Sequence, residues 1–205
     1  MVAHSLTQHA DVRCASARVP IRPHLPADLP RLSAIWADTE VMGYMAVPPL
    51  TKQQAADKFN TMMRPGEYVR RSHKFAIVRR QNNAVVGTID MNLERLSSAY
   101  AHPIVMHREA WGHGLAAEAL DLLVRFGFEA LGVHRVWTAC EVRNEAAKRL
   151  ILRVGPTWFA TIREYYQKES KWGNVEAYSY LDHERRAKAT SPNWSPENGE
   201  AHGQA

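Results

Sequence analysis

His107-Arg108-Glu109-Ala110-Trp111-Gly112-His113-Gly114-Leu115-Ala116-Ala117-Glu118-Ala119-Leu120 joins the end of an apolar run to two closely spaced glycines and then, at once, to a long amphipathic helix pattern. The first N–H groups of a helix have no intrahelical partner and stand at the positive end of its macrodipole, so a helix start reached through bare backbone attracts phosphate. Gly112 and Gly114 supply that bareness, because a residue without a Cβ accepts positive φ and lets an anion approach the amides. The spacing excludes two other phosphate loops. It lacks the Gly-Lys-Ser/Thr ending of a Walker loop, and it lacks the third glycine and the acidic residue about 20 positions on that mark a dinucleotide fingerprint. Paired glycines also occur in plain turns, so the reading depends on the chain further downstream.

There a second segment occurs, Val142-Arg143-Asn144-Glu145-Ala146-Ala147-Lys148-Arg149-Leu150-Ile151-Leu152-Arg153-Val154-Gly155. Trp-Gly-x-Gly-x-Ala-x-Glu-Ala, a short strand, and then Arg-Asn-x-Ala-x-x-Arg-Leu closing in Gly resembles the GNAT N-acyltransferase superfamily over roughly residues 19 to 181. The branch it resembles most is the one that acetylates the N-termini of ribosomal proteins. The resemblance implies an α/β (α+β) single domain: a mixed, mostly antiparallel twisted sheet with a splayed parallel strand pair and flanking helices. It also implies acetyl-coenzyme A, or another acyl-coenzyme A, as co-substrate. Trp111, Gly112, His113, Gly114, Leu115, Ala116 and Ala117 would then hold the pyrophosphate, and Asn144 the pantetheine arm, with Arg149 of the same motif in the cofactor set. A backbone N–H of Ile104, Val105 or Met106 would polarise the thioester carbonyl. Trp111 stands where the superfamily more often has Arg or Gln, and its indole is expected to pack beneath the loop.

A chain of 205 residues, 45% hydrophobic and 23% charged, suits one domain with a sizeable core. Residues 1–18 and 185–205 read as a flexible and a disordered tail around a domain at 19–184, the second being rich in Pro, Asn, Ser and Gly. No apolar run approaches the ~20 residues of a membrane span, and no signal peptide pattern opens the chain, so a cytoplasmic protein is expected. Cys14 and Cys140 form no disulfide framework, and the ten histidines show no metal-ligand spacing, so no metal is expected. The net charge is +5; residues 1–18 carry +1 and 182–205 carry −1, which leaves +5 on the body. A basic body favours a polyanion such as coenzyme A or a nucleic acid.

Along the chain, Val19–Pro23 reads as a strand, and Asp28 as the cap of a helix through Leu32, Ile35 and Trp36. Thr51-Lys52-Gln53-Gln54 has capping-box spacing and opens a helix carrying Ala55, Phe59 and Met62 on one face. Lys74–Arg80 and Ala84–Leu93 form a hairpin across Gln81-Asn82-Asn83. Ser98–His107 is the next strand, in which Pro103 cannot donate a ladder hydrogen bond and so demands a bulge or an edge. Leu115–Leu131 is a long helix stopped by Gly132, Val133–Val142 a strand parallel to the one before it, and Asn144–Val154 a second helix. Thr157–Gln167 and Val175–Leu181 close the sheet.

Acyl transfer to an amine needs a base for the amine, a polarised carbonyl and a proton for the departing thiolate. The family's usual acids fall on Ala147 and Ile151, which cannot donate, and its Gly-Phe helix ending is Gly155-Pro156 here. Tyr165, Tyr166, Tyr178 and Tyr180 are the replacement candidates. Base candidates are Glu94 and Asp90 at the end of the hairpin strand, His102 and His107 on the next one, and Glu141, which also suits a solvated strand-end charge. His102 keeps period-two spacing with Ile104 and Met106, which would aim it into the same cleft. Cys140 reads as a buried small hydrophobe rather than an acyl carrier.

The expected activity is direct transfer of an acyl group from acyl-coenzyme A to a primary amine of a protein N-terminus or a small molecule. Two alternatives remain open: a GNAT-like transferase that takes its acyl group from an aminoacyl-tRNA, and a silent module that binds coenzyme A without catalysis. The sequence leaves monomer and homodimer equally open.

Overall fold

A computed structural model describes residues 14–64, 71–95 and 97–189. In chain order these form β1 (Cys14–Ala15), β2 (Pro20–Pro23), α1 (Leu29–Ala37), α2 (Lys52–Met63), β3 (Ser72–Arg79), β4 (Ala84–Leu93), β5 (Ser98–Ala101), β6 (Val105–Met106), α3 (Leu115–Glu129), β7 (Arg135–Glu141), α4 (Glu145–Arg153), β8 (Thr157–Lys168), β9 (Lys171–Leu181) and α5 (Asp182–Ala189). The sheet runs β1-β2-β3-β4-β5-β7-β9-β8, with β6 paired to β4 alone. Every described pairing is antiparallel except β5 with β7. The expected mixed α/β sheet with one splayed parallel pair is therefore the observed one.

Strand alternation sorts the core onto the two faces of this sheet. Phe75, Ile77, Ile89 and Met91 pack with Leu120, Leu123 and Phe126 of α3. Ala76 and Val78 pack with Leu32, Ile35 and Trp36 of α1 and Phe59 of α2. The capping box forms as read: Gln54 N–H donates to Thr51 Oγ1 at 3.2 Å and Thr51 N–H to Gln54 Oε1 at 2.8 Å. Such a cap is worth about 1 kcal/mol. The β3–β4 turn closes through Asn83 at φ 55°, and Gly132 at φ 64° follows the end of α3.

Three expectations are corrected. Asp28 does not cap α1; its carboxylate turns back to accept the Leu25 N–H at 2.8 Å and both Nη groups of Arg22, at 2.7 and 2.8 Å, because a buried carboxylate gains more from a charged fork than from a helix amide. Order also extends past 19–184 at both ends. Cys14–Ala15 pairs with β2, and Asp182–Ala189 is a helix whose Arg185 holds Asp121 of α3 at 2.6 Å. The rest of the two expected tails, 1–13 and 190–205, lies outside the described residues. Finally, Ser98–His107 is two strands rather than one, β5 and β6, separated at Pro103.

Candidate active site

From Ala101 to Val105 the chain advances four residues while β4 opposite advances three, from Met91 to Thr88, so one extra residue is inserted at Pro103. This is the bulge that a donor-less residue demanded. It has two consequences. Beyond the bulge, His107 N–H donates to Val86 O at 2.8 Å and Val105 lies opposite Thr88, so the Val105 and His107 amides face β4. By antiparallel alternation the Ile104 and Met106 N–H groups point the other way. On that side β7 has already left, because its pairing with β5 ends at Tyr100 opposite Trp137 and from Thr138 onward it pairs with β9 alone. The strands part there, and the Ile104 N–H faces the opening, with the Met106 N–H further along the same edge. Gly87 permits β6 to lie this close to β4, since a Cβ on it would meet Met106 Sδ at 2.5 Å and Val105 O at 2.6 Å.

The bulge also flips side-chain facing. Tyr100 packs with Ala139, Trp137 and Tyr166, apart from the α3 cluster that takes Ala99 and Ala101, whereas Ile104 and Met106 pack on the face of α3. His102 and Ile104 both line the opening but from opposite faces, so the period-two reading of this stretch holds only up to Pro103.

The opening is a cleft of about 300 Å³. Tyr44 and Met45 from the α1–α2 connection, Tyr100 and His102, Cys140 and Glu141 of β7, Asn144, Ala147 and Ile151 of α4, and Tyr165 and Tyr166 of β8 all line it. Asn144 N-caps α4, its Oδ1 accepting the Ala147 N–H at 3.0 Å, which leaves its side-chain NH₂ as a donor. Ala147 and Ile151 do line the cleft, so no hydroxyl enters it from α4.

At the start of α3, Gly112 and Gly114 take φ 77° and 73°, where other residues are strained. A Cβ on Gly114 would stand 3.4 Å from Arg18 Nη2 and 3.7 Å from Arg153 Nη1, so two guanidinium groups face the bare helix start. Arg18 is held by Glu118 Oε1, 2.6 Å from its Nε, and by the His113 carbonyl, 3.0 Å from Nη1. Leu115 is buried in the core and Ala116 packs against it, while His113 is exposed. Trp111 does not pack beneath the loop: it is 44% exposed and its Nε1–H donates to the Met106 carbonyl at 3.1 Å, tying the loop to β6. Sequence reasoning passed over Arg18, Arg153 and Tyr100, because their partners are distant in the chain.

The other expected residues separate clearly. His102 sits against Tyr100, ring centroids 4.6 Å apart, with Asn92 Nδ2 2.6 Å from its Nε2. Burial, reinforced by Lys74 and Lys58, holds its pKa below the ordinary histidine value. Glu141 lines the cleft and is not a solvated charge; it is 5% exposed and accepts from the Arg143 N–H at 2.9 Å and from Arg143 Nε at 2.8 Å. Glu94 is exposed outside the cleft, fixed by Trp137 Nε1 at 2.8 Å and Ser98 Oγ at 3.1 Å. Tyr178 lies in the core with its hydroxyl on Glu176, which also takes Lys148 Nζ at 3.0 Å, and it does not line the cleft. Arg149 is exposed on α4 and lines no part of it. Burial pushes the Asp90 carboxyl up to about 6 and the Cys140 thiol up to about 11. No group of three or more His, Cys, Asp or Glu among the described residues is arranged to hold a metal ion, and no helix among them is long and apolar enough to cross a membrane.

The parallel strand pair parts after Tyr100 and Trp137, and the glycine-led start of α3 follows β6, as the sequence resemblance implied. Residues 18–157 match the family model for the acetyltransferase (GNAT) domain. The chain belongs to this family of N-acetyltransferases, enzymes that move an acyl group to an amine. It is 25% identical over 168 residues to the uncharacterized N-acetyltransferase p20 of Bacillus licheniformis, covering 82% of this chain and 94% of that protein. The fold is similar to a GNAT-family acetyltransferase from Bacillus anthracis, with TM-score 0.75 at 18% identity over 84% of this chain and 99% of that one. It is similar also to spermidine N-acetyltransferase from Vibrio cholerae, solved with CoA and spermine, with TM-score 0.70 at 16% identity over 82% and 98%.

Proposed function

We propose that this enzyme transfers acetyl directly from acetyl-coenzyme A to a primary amine, on a protein N-terminus or a small molecule, that enters the cleft beside Tyr44 and Tyr165. The observation that carries this reading is the open amide of Ile104, on the free edge that continues to Met106, in a cleft lined also by Asn144 and Ile151 of α4. The co-substrate supplies an activated thioester and three phosphates; the chain supplies everything else. The helix start, with Arg18 and Arg153 beside Gly114, fits a pyrophosphate. The Asn144 NH₂ and the free edge of β6 fit the amides of a pantetheine arm.

The Ile104 N–H stands where an oxyanion can take it as the amine adds, a contribution of about 3 kcal/mol when preorganised. His102 is neutral near pH 7, and with the Asn92 amide turned so that its oxygen accepts from Nε2–H, Nδ1 is left as the basic nitrogen that removes the amine proton. The thiolate takes its proton from the Tyr165 hydroxyl, which lines the cleft together with Tyr100 and Tyr166. An α-amine with pKa near 8 is partly neutral already and suits one weak base better than a lysine near 10.4 does.

Incubation with acetyl-coenzyme A and a panel of peptides and small amines, read by mass spectrometry, tests the reading. It requires acetylated amine above the enzyme-free rate and loss of that product in Gly114→Trp. A panel without product in which acetyl-coenzyme A also leaves the melting temperature unchanged refutes it.

A further inference from the structure

We propose that a second cavity, beside the glycine loop, reads the 3′-phosphate of the donor, so that the enzyme selects coenzyme A thioesters over their 3′-dephospho counterparts. The inference rests on the coenzyme A reading and goes beyond it by assigning donor selectivity to residues outside both sequence motifs. The cavity measures about 430 Å³ and is lined by Arg18, Arg79, Arg80, Gln81, His113 and their neighbours, with no carboxylate in its wall. The end of β3 and the turn into β2 form one side, and the loop before α3 the other.

Charge is what separates these arginines from an ordinary solvated surface. Arg18 spends its charge on Glu118. Arg79 and Arg80 do not: among the described residues neither forms an ion pair, and their Nη2 groups donate to carbonyls instead, Arg79 to Glu109 at 3.3 Å and Arg80 to Ser16 at 2.8 Å. A carbonyl orients a guanidinium without neutralising it, so two aimed cations are left uncompensated in a cavity large enough for a nucleotide fragment. A phosphate monoester carries roughly −1.5 to −2 charge at pH 7 and matches that pair, and the guanidinium fork fits its oxygens two at a time. With the pyrophosphate on the amides of Gly114 and Leu115, the 3′-phosphate is the remaining charge of the donor, and this cavity adjoins those amides through His113 and Leu115.

The test is calorimetric titration of the full chain with coenzyme A and with 3′-dephospho-coenzyme A, for wild type, Arg79→Gln/Arg80→Gln and Arg79→Lys/Arg80→Lys. Wild type is expected to bind coenzyme A roughly tenfold to a hundredfold more tightly than the dephospho form. The glutamine variant should bind both alike, at the wild-type dephospho affinity, and the lysine variant should retain part of the preference and lose it with added salt. Equal wild-type affinity for the two ligands overturns the proposal without any variant, as does a preference that survives in a glutamine variant whose unliganded melting temperature is unchanged. If neither ligand binds wild type, the coenzyme A reading itself has failed.

Discussion

Arg18, just before β2, reaches across the start of α3 to Glu118, with its Nε 2.6 Å from the Glu118 Oε1. The pair resolves a conflict: an acidic residue in the first turn stabilises the helix but repels a phosphate at the same amides, and Arg18 cancels that charge while staying within reach of Gly114. Arg18→Ala should therefore weaken acetyl-coenzyme A binding by about tenfold to a hundredfold, and Glu118→Gln in the same chain should restore part of the loss. Calorimetry on the two variants checks this. An Arg18→Ala protein with wild-type affinity would remove Arg18 from the site.

His102 sets the acid side of the pH profile. Its pKa lies below the ordinary 6.5 because burial and the neighbouring Lys74 and Lys58 disfavour the imidazolium. The base form therefore accumulates as pH rises, and kcat/KM should climb through a midpoint below 6.5 toward a plateau set by the amine. His102→Gln should lower kcat by about 10²–10⁴ and abolish that limb. A limb unchanged in His102→Gln would assign the base elsewhere, with Asp90 the next group to examine.

Tyr165 is the proton donor in this mechanism, and α4 offers no hydroxyl at Ala147 or Ile151. Tyr165→Phe should lower kcat with KM for acetyl-coenzyme A little changed, and Ala147→Ser should recover part of the lost rate by placing a hydroxyl in the cleft from α4. Steady-state kinetics on the single and double variants decide it; an additive loss in the double variant contradicts the assignment.

Two buried groups act oppositely on stability. His24, 7% exposed and within 3.2 Å of Thr88 Oγ1, has its pKa lowered to about 4 from 6.5, chiefly by burial. The fold prefers its neutral form, so the stability it contributes is present above pH 6.5 and is lost as pH falls from there through 4, on the order of 3 kcal/mol. Asp90 is raised to about 6 from 3.8, so its protonation between those values favours the fold and its charge burdens the fold above pH 6. Urea melts should show a flatter acid slope in His24→Gln, and in Asp90→Asn a gain confined to higher pH. The reverse pattern would contradict both burial arguments.

The parts of this fold legible in the sequence are those fixed by short-range rules. Thr51 and Gln54 announced their cap because the box is complete within four residues, and Gly112 and Gly114 announced the loop because only bare backbone tolerates their φ. Pro103 foretold a bulge from its missing N–H, but not that the bulge would reverse which face Ile104 presents, since the face depends on where the extra residue is inserted. Asp28 carried a helix-cap signal that Arg22 overrode from across a turn. Glu141, Tyr178 and Arg18 were misjudged or missed because their settings are made by residues that meet only in three dimensions: Tyr178 meets α4 through Glu176 and Lys148, and Arg18 meets a helix start about a hundred residues on.

The central claim is that an acyl carrier completes the sheet between β6 and β7 with its phosphates on the loop before α3. A crystal structure with coenzyme A tests it most directly. Pantetheine is expected within hydrogen-bond distance of the Ile104 or Met106 amide and the Asn144 side chain, and the pyrophosphate on the Gly114 and Leu115 amides. A carrier bound elsewhere, with those amides engaged by the protein itself, would contradict it.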